Sequence, residues 1–177
     1  VVINYPLLGV SILSGFYLAN RALKTRRSIS ANGIETIKRF EGFSHTPYKD
    51  SAGKWTIGYG HLIQPDESFT YISVEQATKL LHADLYDAES AVRSAVAVPI
   101  SQGMYDALVS FTYNVGANAF KSSTLLRYLN SGDYMAANRE FTRWTKADIN
   151  GDGITQPTEI VAGLVNRRNA ESELFWT

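Results

Sequence analysis

The chain has no cysteine, so neither a disulfide framework nor a thiolate metal site can form. Its three histidines, His45, His61 and His82, have no partners at metal-ligand spacing, which argues against zinc. It also lacks any excess of positive charge, since 17 basic residues balance 17 acidic ones. The balance is uneven: Arg21, Lys24, Arg26 and Arg27 all precede the first acid, Glu35, leaving 13 basic and 17 acidic residues elsewhere, a net of −4. A nucleic-acid-binding domain would carry the opposite sign, so that class is disfavoured. No internal repeat or low-complexity tract occurs. What is present is 177 residues, 45% hydrophobic and 19% charged, enough for one folded domain or two packed lobes with a real core.

Val1 to Ala19 differ from everything after them, because they contain no charge. As a helix they would span about 28 Å, close to the thickness of a bilayer core. The run is only weakly hydrophobic, diluted by Asn4, Pro6, Gly9, Ser11, Ser14 and Gly15. It reads as a marginal membrane anchor, or as a buried amphipathic helix or ordinary signal segment. With its basic flank it makes a first unit, 1–27, ahead of a folded domain, 28–177.

Ser28 to Gly33 reads as a polar linker. Ile34, Ile37 and Phe40 then recur at helical spacing, and Gly42 suits the left-handed stop after Glu41. Tyr48 to His61 reads as a small β-hairpin, with Ser51 to Lys54 as its turn and Trp55, Ile57 and Tyr59 alternating along the return. Ser73 and Gln76 form a capping-box pattern that opens one long helix ending before Pro99. Its core stripe is Val74, Ala77, Leu81, Ala88, Val92 and Val96. Shorter helices are predicted over Gln102 to Asn114, Thr124 to Leu129, Tyr134 to Lys146 and Gly163 to Phe175. Gly116, Gly132 and the Asp148 to Pro157 loop separate them. The fold class is α+β: a small β-hairpin lobe and a larger helical lobe joined by the long helix.

Glu41, Asp50 and Thr56 carry the chemistry. Cleaving a glycosidic bond needs one carboxyl kept protonated for the leaving oxygen and another kept ionised beside water or the sugar cation. Phe40 and Phe43 flank Glu41, and an apolar setting would favour its protonated form. Asp50 falls at a turn, among hydroxyls and backbone N–H groups that favour the ionised form. His61 reads as a structural histidine hydrogen-bonded to a carboxylate.

The run Arg39-Phe40-Glu41-Gly42-Phe43, continuing through Asp50 and Thr56 to Gly58-Tyr59-Gly60-His61, resembles the catalytic segment of the phage-type lysozymes or endolysins, glycoside hydrolase family 24. In that family an Asp follows the Glu by nine residues and a Thr follows the Asp by six, the spacing found here. Phe111 to Gly116, Phe120 to Leu126 and Gly163 to Phe175 look like its later blocks, so the resemblance covers about Ile34 to Phe175. It implies a monomeric muramidase that causes host lysis by cutting the β-1,4 bond between N-acetylmuramic acid and N-acetylglucosamine in peptidoglycan glycan strands. Glu41 would be the general acid, with Asp50 and Thr56 holding water. Catalysis would need no cofactor and would invert the anomeric centre, with the carboxyls roughly 6.5–9.5 Å apart. Asn114, Gly116 and Ser123 would shape the far wall of the glycan site. Arg167 and Arg168 read as structural, Arg167 pairing with Glu171 at i,i+4. Some endolysins carry a signal-anchor-release segment, and Val1 to Ala19 look like one. They would hold the enzyme at the inner membrane, exported to the host periplasm, until release.

The chain departs from that family at Asp148 to Glu159, where members commonly have a brief Gly-rich connection. The sequence there fits the EF-hand calcium loop at every defined position. Asp148, Asn150 and Asp152 would give side-chain oxygens, Ile154 a carbonyl, Gln156 a water-mediated contact and Glu159 two oxygens, between two predicted helices. A solvated Asx/Gly turn is the plainer reading. Two other functions remain open: a non-catalytic, calcium-dependent wall-binding module on the same fold, and a lytic transglycosylase. The transglycosylase needs the Glu but no water-holding Asp.

Overall fold

The computed structural model describes residues 27–50, 53–147 and 160–177. The apolar Val1 to Ala19 segment, the first two residues of the hairpin turn and the calcium-type loop from Asp148 to Glu159 lie outside the described residues.

The first helix, α1 (Ala31–Glu41), starts where Ser30 caps it, its hydroxyl accepting from the Gly33 N–H. Asp106 in turn holds Ser30, accepting from both its backbone N–H and its hydroxyl. A side chain at position 33 would meet Asp106 at 2.8 Å, so glycine is what lets α1 approach so closely. Gly42 ends the helix at φ +71°, as the sequence predicts. The residues leading into α1 are stitched to the body. Arg27 donates to the Ile100 carbonyl at 2.8 Å, Gln102 donates to the Ser28 carbonyl, and the Ile29 N–H donates to Glu89 at 2.7 Å.

Strands β1 (Ser44–Lys49), β2 (Trp55–Gly58) and β3 (His61–Leu62) form an antiparallel sheet in that order. Tyr48 pairs with Thr56, and Thr56 with Leu62. The sheet is larger than the predicted hairpin, beginning at Ser44 and adding a third strand. Ile57 is fully buried while Trp55 stays 53% exposed under the Lys49 amine.

The single long helix is instead two, α2 (Val74–Asp84) and α3 (Tyr86–Ala95), broken at the fully buried Leu85. The break lets α2 lie on β2 and β3 while α3 packs against the next helix. Ser73 and Gln76 do form the capping box. The predicted stripe is buried except for Val74, which sits in the first turn and is exposed.

Helix α4 (Gln102–Val115) is buried over Tyr105 to Thr112 on every side, the mark of a central helix. Around it lie α5 (Ala117–Ser122), which the sequence reading missed, α6 (Thr124–Asn130), α7 (Tyr134–Glu140) and α8 (Ala162–Leu174). The helix predicted to reach Lys146 ends early in a 3-10 turn, Phe141–Arg143. Trp144 then leaves the helical path and sets its ring edge-on to Phe111, 5.3 Å between centroids. Beyond it Lys146 bridges Ile160 antiparallel. The chain therefore enters the calcium-type loop from a β-bridge, not from a helix as an EF-hand would. Phe111, Phe141 and Phe175 complete an aromatic core in edge-to-face contact. Burying each such ring contributes roughly 1.5–3 kcal/mol.

Candidate active site

Glu41 closes α1, and its environment is not the apolar slot expected from its neighbours. Arg167 from α8 reaches it, with Nη1 2.7 Å from Glu41 Oε1. The Phe40 ring lies beneath that guanidinium, and Phe43 turns away to His45 and Tyr59. The other carboxyl oxygen, Oε2, faces the β2–β3 turn, 3.9 Å from where a Gly60 side chain would begin. One oxygen is thus fixed by a charge while the other is presented to the sheet.

Arg167 is itself anchored from behind. Its Nε meets Glu171 Oε1 at 3.2 Å and its Nη2 donates to the Ser110 carbonyl. Ser110 donates to Glu171 at 2.7 Å, and Arg168 Nε stands 2.9 Å from Glu171 Oε2. That last contact is an ion pair without hydrogen-bond alignment. Glu171 and Arg168 have no exposed surface at all. Burial pushes the Glu171 carboxyl up against the opposing pull of the two guanidiniums, and burial pushes the Arg168 guanidinium down. Two arginines and two glutamate side chains, Glu171 and Glu41, thus meet in one network. The i,i+4 pair of Arg167 with Glu171 was legible in the sequence, whereas its reach to Glu41 was not.

Asp50 and Thr56 are organised by one residue, Lys54. Its backbone N–H donates to Asp50 Oδ1 at 2.9 Å, and its carbonyl accepts from the Asp50 N–H and from the buried Thr56 hydroxyl at 3.2 Å. The hairpin turn therefore sets the carboxylate and the hydroxyl relative to each other through a shared backbone. Of the remaining sequence candidates, Asn114 is exposed at the end of α4 and accepts from Arg168 at 2.8 Å. Gly116 caps α4, and the buried Ser123 hydroxyl caps α6 by accepting from the Leu126 N–H. Among the described residues no cluster of His, Asp and Glu side chains could hold a metal ion.

The sequence model of the phage lysozyme family matches residues 38–171, a span that holds Glu41, Asp50, Thr56, Arg167 and Glu171. The chain belongs to the phage lysozyme family. It is 41% identical over 147 residues to an endolysin of Acyrthosiphon pisum secondary endosymbiont phage 1, across 83% of this chain and 97% of the relative. It is 37% identical over 147 residues to a SAR-endolysin of Enterobacteria phage P21, across 83% and 84% respectively. The muramidase domain of SpmX from Asticaccaulis excentricus superposes with a TM-score of 0.76 at 38% identity, covering 86% of this chain and 99% of that one.

The enzyme has one further residue at the site that sequence reasoning passed over. Tyr113, on α4, has its phenol pushed up by burial and by the charges of Glu41 and Asp84.

His61 meets two carboxylates where one was expected: Nδ1 faces Asp84 at 2.9 Å and Nε2 faces Glu67 at 2.9 Å. Burial works against its charge, but the bonds to Glu67 and Asp84 outweigh it and hold the pKa above 6.5. Glu67 is lowered by the Gln64 N–H and by His61, while burial raises Asp84 in spite of His61. The raised histidine stabilises the fold fully below its unfolded pKa and loses that contribution as pH rises through the folded value. The lowered Glu67 contributes above its unfolded pKa and loses this as pH falls through its folded value. Replacing His61 by Asn should therefore depress Tm most at about pH 5–6 and least in alkali, as melting curves across pH will show. A Tm difference that grows above pH 8 would contradict the assignment.

Proposed function

We propose that the enzyme is a muramidase. It hydrolyses the β-1,4 bond between N-acetylmuramic acid and N-acetylglucosamine, with Glu41 as general acid and Asp50 and Thr56 holding the water. The observation that carries this reading is the division of labour at the site. Arg167 takes Glu41 Oε1 and leaves Oε2 for the leaving oxygen, while Lys54 fixes Asp50 and Thr56 together. In the reaction the bond from the sugar C1 to the leaving oxygen breaks and Glu41 protonates that oxygen. Water bonds to C1 and gives its proton toward Asp50. A transglycosylase would use the substrate's own hydroxyl and would have no work for the Asp50–Thr56 pair. Mass spectrometry of released muropeptides tests the reading. Reducing N-acetylmuramic acid ends are expected, and anhydro ends would overturn it.

Residues 1–19 export the enzyme and hold it at the inner membrane before release. The uncharged run and the likeness to a SAR-endolysin support this. Among the described residues no helix is long and apolar enough to cross a membrane. Fractionation of expressing cells tests the idea, and enzyme confined to the cytosol would defeat it.

Asp148 to Glu159 bind a structural calcium ion. Support comes from the ligand order. The Lys146–Ile160 bridge, closed also by the Val161 N–H to the Thr145 carbonyl, brings the two ends of the loop together in place of the entering helix of an EF-hand. Calcium should raise Tm by several degrees over a chelator, and by nothing in an Asp148→Ala/Glu159→Ala protein. Equal melting of the parent with calcium and with chelator would leave only the turn.

A further inference from the structure

Ser110 lies in the middle of α4 with no exposed surface. A serine inside a helix commonly returns its hydroxyl to the carbonyl one turn back in its own chain. This one reaches another helix instead, donating to Glu171 Oε1 on α8 at 2.7 Å. The same oxygen accepts from Arg167 Nε at 3.2 Å, and the Ser110 carbonyl accepts from Arg167 Nη2, also at 3.2 Å. The hydroxyl and the carbonyl of one residue thus grip two nitrogens of the guanidinium, the hydroxyl by way of Glu171. The third nitrogen, Nη1, is the one that donates to Glu41 Oε1. Partners on α8, α4 and α1 therefore take all three nitrogens, and a planar group bonded in this way has one orientation.

We infer that Ser110 is a positioning residue for the cleavage reaction: with Glu171 it seats Arg167 so that the guanidinium meets Glu41 through one nitrogen and leaves Oε2 open to carry the proton. The inference rests on the muramidase reading. An unconstrained arginine often takes a carboxylate with both ends of its fork, in two parallel N–H···O bonds. On Glu41 that arrangement covers both oxygens and leaves no place for the proton the acid must give. Diverting Nη2 to the Ser110 carbonyl removes the second end of the fork from Glu41. Ser110 and Glu171 are fully buried, so bulk water does not compete for the bonds that hold the seat. The hydroxyl acts at one remove: it holds Glu171, Glu171 holds Arg167, and Arg167 holds the acid.

Two measurements on the full chain test the seat. NMR of the parent reads Arg167 directly: slow rotation of its Nη hydrogens is expected, and faster rotation in Ser110→Ala. Steady-state kinetics on soluble, uncross-linked peptidoglycan oligomers read the consequence. Ser110→Ala should lower kcat roughly ten- to a hundredfold while KM stays within about twofold. The control is Thr112→Val, two positions along the same helix. Thr112 is equally buried, and its hydroxyl has no hydrogen-bond partner among the described residues. That variant should keep the parental kcat and KM. Circular dichroism melts check that each protein is folded. Free rotation of the Arg167 guanidinium in the parent overturns the proposal, and so does a folded Ser110→Ala protein with parental kcat. A Thr112→Val protein that loses as much kcat overturns it too. Anhydro ends on the released muropeptides would instead sink the muramidase reading and leave the NMR result standing, so the two failures are distinct.

Discussion

Glu41→Gln protein is expected to fold normally and to clear suspensions of exposed peptidoglycan roughly 10²–10⁴-fold more slowly than the parent. Glutamine keeps the shape of the side chain, and its carbonyl oxygen can still accept from Arg167, which holds Oε1 at 2.7 Å in the parent. What it cannot do is give a proton to the leaving oxygen. Asp50→Asn should also be severe, because an amide at that place no longer draws a proton from water. Thr56→Ala should cost less, since the carboxylate stays bound to the Lys54 N–H. Clearance rates with a circular dichroism control decide the point. A folded Glu41→Gln protein that lyses at the parental rate would end the assignment.

The largest effect on stability is expected from Glu171→Ala. It strips the shared partner from Arg167 and Arg168, which are 4% and 0% exposed, and leaves two guanidiniums facing each other in the interior. Breaking a buried ion pair from one side costs about 3–5 kcal/mol. For a domain of this size that lowers Tm by roughly 6–20 °C. Activity should fall with it, because Arg167 loses the contact that aims it at Glu41. The contrasting pair is Glu75 with Lys79, both about three-quarters exposed, whose removal should leave Tm where it was. Calorimetry on both proteins tests the contrast. A Glu171→Ala melt within a degree or two of the parent would show that the buried network carries little of the fold's stability.

The parts of this molecule that were legible in the sequence are those governed by neighbours in the chain. Gly42 ends α1 because one residue needs a left-handed backbone, and Ser73 with Gln76 caps α2 because three residues set the geometry. The Glu41, Asp50 and Thr56 spacing lies in one segment for the same reason. What was hidden depends on residues far apart. Arg167 and Glu41 are separated by 126 positions, so only the packing of α8 against α1 shows that a structural arginine also holds the candidate acid. The split at Leu85 answers to two different packing partners, which the continuous apolar stripe of α2 and α3 does not reveal. Trp144 leaves its helix for Phe111, a ring on another element. The second carboxylate on His61 comes from a loop with no periodicity to read.

The stitching of residues 27–30 fixes where the chain can be cut. Arg27, Ser28 and Ile29 hold the ends and flanks of α3 and α4, and Ser30 both caps α1 and is clasped by Asp106. A protease acting ahead of Arg27 would leave these contacts and the catalytic body intact. One acting three or four residues later would uncap the helix that carries Glu41 at its far end. Only a few residues therefore separate a cut that spares the enzyme from one that destroys it.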